Sequence, residues 1–253
     1  MAKQDGIIKI KGTVDDLTFA NTKDGYQVRK KTRKVSKETF ASDPKYARLR
    51  ENMSEFTRAT NGSKLMRVAV NEALLNCSDR RFTTRLSKEM MKVIKSDAIS
   101  DRGKRTIMNG DATLLKDFVF NNNAVLSIIF KPAVTATIDR VTGKLSVEIP
   151  AFIPEDAIIA PHGTTHFKFH CAATDINFDT GKFVTKMADS AGIKNDDRLL
   201  TAPFTLQHDL NANSTNPLFL LLGIRFYMEV NGKLYPSKDG GFNSLSIIDV
   251  GEV

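Results

Sequence analysis

A chain of 253 residues with 41% hydrophobic and 26% charged side chains has the composition of a globular protein of one large or two modest domains, which excludes both a disordered chain and a membrane-embedded bundle. Its net charge of +8 is unevenly spread: residues 1–120 hold 26 Lys+Arg against 15 Asp+Glu (+11), and residues 121–253 hold 11 against 14 (−3). That polarity gives the molecule a basic head and a mildly acidic tail, suited to attracting polyanions or to setting one copy's head against another's tail.

In chain order, Ile8 and Ile10, Leu17 and Phe19, and Tyr26 and Val28 alternate as in short strands, and Asp24-Gly25 supplies a hairpin turn. A β-ribbon of this size is marginal alone, so it must dock on its own chain or on another subunit. Next comes Arg29-Lys30-Lys31-Thr32-Arg33-Lys34-Val35-Ser36-Lys37, six cations in nine residues with no acid. It reads either as a solvated linker or as a basic arm for phosphates.

Asp43-Pro44 predicts a helix start, and Tyr46, Leu49, Met53, Phe56 and Thr60 fall on one face of a helix running to about Thr60. Asn61-Gly62 predicts a left-handed cap and a tight link to a second helix over about 63–76. A third helix, about 80–97, has an apolar stripe of Phe82, Leu86, Met90, Val93 and Ile94. It also has a cationic stripe of Arg81, Arg85, Lys88, Lys92 and Lys95, with no acid interspersed. Like charges on neighbouring helical positions cost roughly 0.2–0.5 kcal/mol per pair, so the stripe calls for a compensating partner surface, unless it is simply a solvated face.

Beyond Gly110 the pattern turns to alternation. Strands are predicted at about 125–131, 133–139, 144–149, 165–171, 174–178, 182–186, 203–208, 217–230, 232–236 and 243–249, with hairpin turns at Thr142-Gly143, Thr180-Gly181 and Asn231-Gly232. The expected fold is therefore α+β. An N-terminal β-ribbon with basic arm (1–37) and a helical segment (38–116) precede an antiparallel β-sandwich-like domain (117–253).

The chemistry-bearing residues do not assemble into a known constellation. His162, His166 and His170, with Cys171 adjoining, share a spacing of four, but the segment alternates like a strand, on which residues four apart stand ~13 Å from each other, too far for one metal. Gly103-Lys104-Arg105-Thr106 lacks the upstream glycine of a phosphate loop, and there is no Gly-x-Ser-x-Gly, His-Glu-x-x-His or Cys-x-x-Cys. The acidic pairs Asp15-Asp16, Glu155-Asp156 and Asp196-Asp197 fall where turns are expected. No catalytic, cofactor-binding or metal residue is assigned, and no enzymatic activity is expected. Cys77 and Cys171 read as reduced, inert thiols. The longest apolar stretch, Leu218–Ile224, is far short of the ~18–20 residues of a membrane span, and Met1–Ile8 offers no secretory hydrophobic region, so a cytoplasmic protein is expected.

The run Gly12-Thr13-Val14-Asp15-Asp16-Leu17-Thr18-Phe19, with Thr22–Arg29, Asp43-Pro44, Arg50–Phe56, Gly163–Phe167 and Asn216–Gly223, resembles an uncharacterised family of Bacteroidota proteins over most of the chain. The resemblance implies a bacterial source, or a phage or mobile element of such a host, and carries over no site residue.

Two functions follow as expectations. The first is a non-enzymatic structural protein that self-assembles into homo-oligomers or filaments by head-to-tail contacts. The alternative is a nucleic-acid-associated protein laying Arg29, Lys30, Lys31, Arg33 and Lys34 and the stripe Arg81, Arg85, Lys88, Lys92 and Lys95 along phosphates.

Overall fold

The computed structural model describes residues 2–4, 6–30, 35–237 and 240–251. The chain divides into two compact units, Met1–Arg50 and Glu51–Val253. Of the expected basic arm, Lys31, Arg33 and Lys34 lie outside the described residues.

In the first unit, β1 (Ala2–Lys3), β2 (Gly12–Val14), β3 (Leu17–Thr22) and β4 (Gly25–Lys30) form an antiparallel sheet in the order β1-β4-β3-β2. The β3–β4 turn closes because Gly25 takes φ 100° and the Thr22 hydroxyl accepts from the Asp24 N–H at 3.3 Å. A short helix α1 (Lys37–Ser42) follows, capped by the Ser36 hydroxyl, which accepts from Thr39 N–H at 3.1 Å. Asp43 then caps a 3-10 turn, Pro44–Tyr46, which leads into helix α2 (Ala47–Ala69).

Helix α2 corrects two expectations. It does not break at Asn61-Gly62 but runs on to Ala69, so the helical hairpin is absent. Its buried face is Glu55, Ala59, Gly62, Ser63, Met66 and Ala69, whereas Leu49, Met53 and Phe56 are 48%, 53% and 57% exposed. Close approach decides the matter. A Cβ on Gly62 would stand 2.2 Å from Ile107 Cδ1, so the glycine is a packing point and not a cap.

The second unit continues with α3 (Asn71–Leu74), α4 (Phe82–Ser96), a 3-10 turn Ala112–Leu115, α5 (Leu126–Ile129), β5 (Thr135–Asp139), β6 (Lys144–Ile149) and α6 (Pro154–Ala157). Then come β7 (His166–Asn177), β8 (Lys182–Asp189), β9 (Ile193–Lys194), β10 (Phe204–Asp209), β11 (Leu218–Val230), β12 (Lys233–Pro236) and β13 (Ser244–Gly251). The strand expected at 125–131 is instead the single turn α5, closed by Phe130 N–H donating to Leu126 C=O at 2.8 Å, which buries Leu126, Ile129 and Phe130 together. The strands expected at 165–171 and 174–178 are one strand, β7, paired with β11 from His166↔Tyr227 to Asp175↔Leu218.

All strand pairs are antiparallel, and the class is α+β. A central sheet runs β12-β11-β7-β8, with β13 on β11 and β9 on β7; a smaller one runs β10-β6-β5. The central sheet is buried on both faces along its middle strands β7 and β11. Ala172, Ile176, Phe219 and Leu221 pack with Met66 of α2 and Leu86, Met90 and Val93 of α4. Phe167, Phe169, Cys171, Leu220 and Leu222 pack with Leu145 and Val147 of β6 and Phe152. Helices, central sheet and small sheet thus form three layers.

Residues 97–111 are tied to the helices by buried polar groups. Buried Glu55 accepts from Gly103 N–H at 2.8 Å, and Arg58 donates to the Gly103 and Arg105 carbonyls at 2.8 and 3.1 Å. Burial alone would raise the Asp97 carboxyl, but the N–H groups of Ser100, Thr106 and Ile99 outweigh it and bring its pKa down to about 2.

Gly62→Ala should lower the urea midpoint even though helix propensity favours alanine by about 1 kcal/mol. Adding Ile107→Ala, which opens space for the new Cβ, should recover part of the packing loss. A stabilising Gly62→Ala substitution would contradict this contact.

Candidate functional site

The N-terminal sheet is two-faced. Cross-strand partners share a face, so the pairs Val14↔Leu17, Phe19↔Val28 and Asn21↔Tyr26 place Val14, Leu17, Phe19, Tyr26 and Val28 on one side. The pairs Thr13↔Thr18, Thr18↔Arg29 and Ala20↔Gln27 make the other side polar. Among the described residues of Met1–Arg50 no side chain is buried, and Val14 and Leu17 are 60% and 43% exposed. Arg29 lies on the polar face and Lys30, paired with Leu17, at the margin of the apolar one; both are exposed.

On α4, Leu86, Met90, Val93 and Ile94 turn into the core. Arg81, Arg85, Lys88, Lys92 and Lys95, at alternating spacings of four and three, lie along the opposite side of the helix. They are not equivalent. Arg85 makes a 2.7 Å ion pair with Asp79 and donates to the Val119 carbonyl at 2.7 Å, which ties the start of α4 to the strand-side segment. Burial raises the Asp79 carboxyl, but the Asn122 N–H and the Arg85 guanidinium outweigh it and hold the group below the usual range. Lys92 pairs with Glu89 at 2.6 Å. The expectation of a stripe without a compensating acid is therefore corrected: Glu89, three residues before Lys92, and Asp79, just ahead of the helix, neutralise two of its members. Lys88 and Lys95 stay exposed, and neither has a carboxylate partner among the described residues.

Those two lysines border a groove of about 770 Å³ between α2 and α4. Phe56, Thr60 and Met91 line it, with Arg67 beside them. A smaller hollow of about 490 Å³ also includes Met91 and Lys95 and reaches Arg102 and Arg105. Sequence periodicity marks Phe56 correctly as part of an apolar stripe but assigns it to the core. The groove residue Met91 is missed, because it falls between the two stripes of α4.

The buried titratable groups have a different character. Cys77 Sγ lies 3.8 Å from His170 Nε2, beneath Gly223, where an added Cβ would stand 2.4 Å from the imidazole. Burial raises the Cys77 thiol against the opposing effect of Arg225, and pushes Cys171 up to about 12. Burial, and then the Arg225 charge, holds His170 well below 6.5. Such a pair is thiol and neutral imidazole, the reverse of an activated nucleophile. Among the described residues no group of three or more His, Cys, Asp or Glu is placed to hold a metal ion. Among the described residues no helix is long and apolar enough to cross a membrane. No protein-family model, curated protein or solved structure matches the chain.

Both thiols should resist a disulfide reagent at about pH 8 in the native protein and react fully in urea; rapid native-state labelling would refute their burial. His170 is neutral when folded and binds a proton more readily when unfolded. Its contribution is thus level above about pH 6.5 and falls below it by up to about 1.4 kcal/mol per pH unit, visible as a declining urea midpoint between pH 7 and 5.

Proposed function

We propose that this chain is a non-enzymatic structural protein that self-assembles head to tail, the N-terminal sheet of one copy being completed by the less basic, β-rich half of the next. The observation that carries this reading is the apolar face of Val14, Leu17, Phe19, Tyr26 and Val28 on a sheet that buries no side chain. A small sheet needs a covered apolar face to be stable, and on this one Val14 and Leu17 are exposed while Phe19, Tyr26 and Val28 are only partly buried. Charge supports the pairing: residues 1–50 carry 13 Lys+Arg against 6 Asp+Glu (+7), and residues 121–253 carry a balance of −3.

In this reading residues 1–30 act as a docking ribbon. Residues 117–253 act as a β-sandwich-like body, supported by the cluster that joins Phe167, Phe169 and Leu220 to Leu145 and Val147. The free, buried Cys77 and Cys171 suit a reducing compartment such as the cytoplasm, and the resemblance to Bacteroidota proteins suits a bacterial or phage source.

Magnitude limits what the ribbon does alone. Burying a large apolar side chain fully contributes ~1.5–3 kcal/mol, so five partly covered ones contribute on the order of 5 kcal/mol. Association costs ~4–15 kcal/mol, so a further contact is required.

Sedimentation velocity from about 1 to 100 µM should show growth beyond the monomer, suppressed by Phe19→Asp. Monomer alone across that range would overturn the proposal. Phosphate binding through Arg29, Lys30, Arg81, Lys88 and Lys95 is the second reading, favoured by the unpaired Lys88 and Lys95. It ranks lower because Arg85 and Lys92 already have acids. Undetectable DNA binding at low salt would eliminate it.

A further inference from the structure

Two features of the second unit, at opposite ends of its charge range, complement each other. One is the α2–α4 groove, with Phe56 and Met91 in its wall and Lys88, Lys95 and Arg67 around it. The other is the segment Asn195–Leu200. Leu199 and Leu200 are 75% and 66% exposed, and as neighbours they form an apolar knob. Isolated exposed leucines are ordinary on a protein surface, but two in succession on an anchored loop are not.

The knob is held in place on both sides. Thr201 N–H donates to the Phe152 carbonyl at 2.9 Å, and Phe152 N–H donates back to the Thr201 hydroxyl at 3.1 Å. Before the knob, Asp197 accepts from Leu199 N–H at 2.9 Å, and its carbonyl accepts from Glu155 N–H at 3.2 Å. Arg198, the cation of the segment, is bound by both Glu155 oxygens at 2.6 and 3.0 Å. Asp196 and Asp197 precede the leucines with Arg198 between, and because Glu155 pairs with Arg198 the two aspartates leave the knob acidic where the groove carries lysines.

We propose that the α2–α4 groove is the seat of the Leu199-Leu200 knob of a second copy of this chain, the proposal resting on the self-assembly described above and supplying its specific contact. A single chain cannot satisfy it internally. The groove belongs to the helices on one face of the central sheet, and Phe152, which anchors the knob, belongs to the cluster on the other face. The contact therefore joins unlike surfaces of successive copies, the arrangement that generates rings when the rotation closes and open filaments when it does not. The apolar pair fills the space beside Phe56 and Met91, while Lys88 and Lys95 meet Asp196 and Asp197 and set the register. The anchoring hydrogen bonds hold the loop ready for docking, which reduces the entropy lost on binding.

Disulfide trapping tests the contact in the full chain, since native Cys77 and Cys171 are buried. Leu199→Cys is mixed with Thr60→Cys, Thr84→Cys or Ser87→Cys under mild oxidation. A mixed disulfide dimer with at least one partner, and a ladder from a chain carrying both substitutions, is expected. In parallel, Leu199→Asp with Leu200→Asp should raise the concentration at which assembly begins about tenfold or more, with an unchanged urea midpoint because both side chains are exposed. If the wild type sediments as an oligomer but no mixed disulfide forms and the aspartate variant assembles normally, the knob-in-groove contact is wrong and self-assembly stands. If the wild type is monomeric throughout, both fall together.

Discussion

An apolar sheet face must be covered, and that requirement organises both units of the chain. Strands β7 and β11 lie in the middle of the central sheet, and their side chains are buried on both faces along nearly all of β7 and over Leu218–Ile224 of β11. One face is closed by α2 and α4, the other by the β10-β6-β5 sheet and the segment around Phe152. The N-terminal sheet has one apolar face, and among the described residues none of its side chains is more than partly buried. The contrast between a sheet buried on both faces along its middle strands and one whose apolar face is at most partly buried is the physical basis of the assembly proposed above.

Polar groups hold the surfaces in position. Arg85 is built into the fold, joining Asp79 to the Val119 carbonyl, and so sets how α4 lies on the core. Glu55, Arg58 and Asp97 fasten residues 97–111 to the helices. The groove between α2 and α4 is therefore framed by elements that cannot easily shift, and Lys88 and Lys95 are displayed from a rigid helix. A surface that is rigid before binding loses less entropy on contact, which favours recognition by shape and charge over adaptive folding.

Much of the architecture was legible from spacing. The two stripes of α4 follow directly from the positions of Leu86, Met90 and Val93 against Arg81, Lys88 and Lys95, because a side chain's direction on a helix is set by its number. Helix α2 was misread for a definite reason. Its large apolar residues Leu49, Met53 and Phe56 suggest the core face, but the buried face is made by small residues such as Ala59, Gly62 and Ser63, and Gly62 lets Ile107 approach closely. Periodicity detects large side chains and is nearly blind to close approach, so Asn61-Gly62 read as an end to the helix. The ion pairs were only half visible. Glu89 lies within reach of Lys92 on one helix, whereas Asp79, the partner of Arg85, stands ahead of the helix where periodicity does not place it. The Leu199-Leu200 knob could not be foreseen, because nothing local tells that two adjacent leucines are held outward by Thr201 and Phe152.

Hydrogen exchange as a function of protein concentration tests the central claim most directly. The amides of β3 and β4, around Phe19 and Val28, belong to a sheet with no core of its own, so a copy by itself should open it readily. The account predicts that these amides exchange quickly at high dilution and gain protection as concentration rises, while those of β7 and β11 stay protected throughout. Strong protection of the N-terminal strands at the highest dilution, or fast exchange that does not change with concentration, would contradict it.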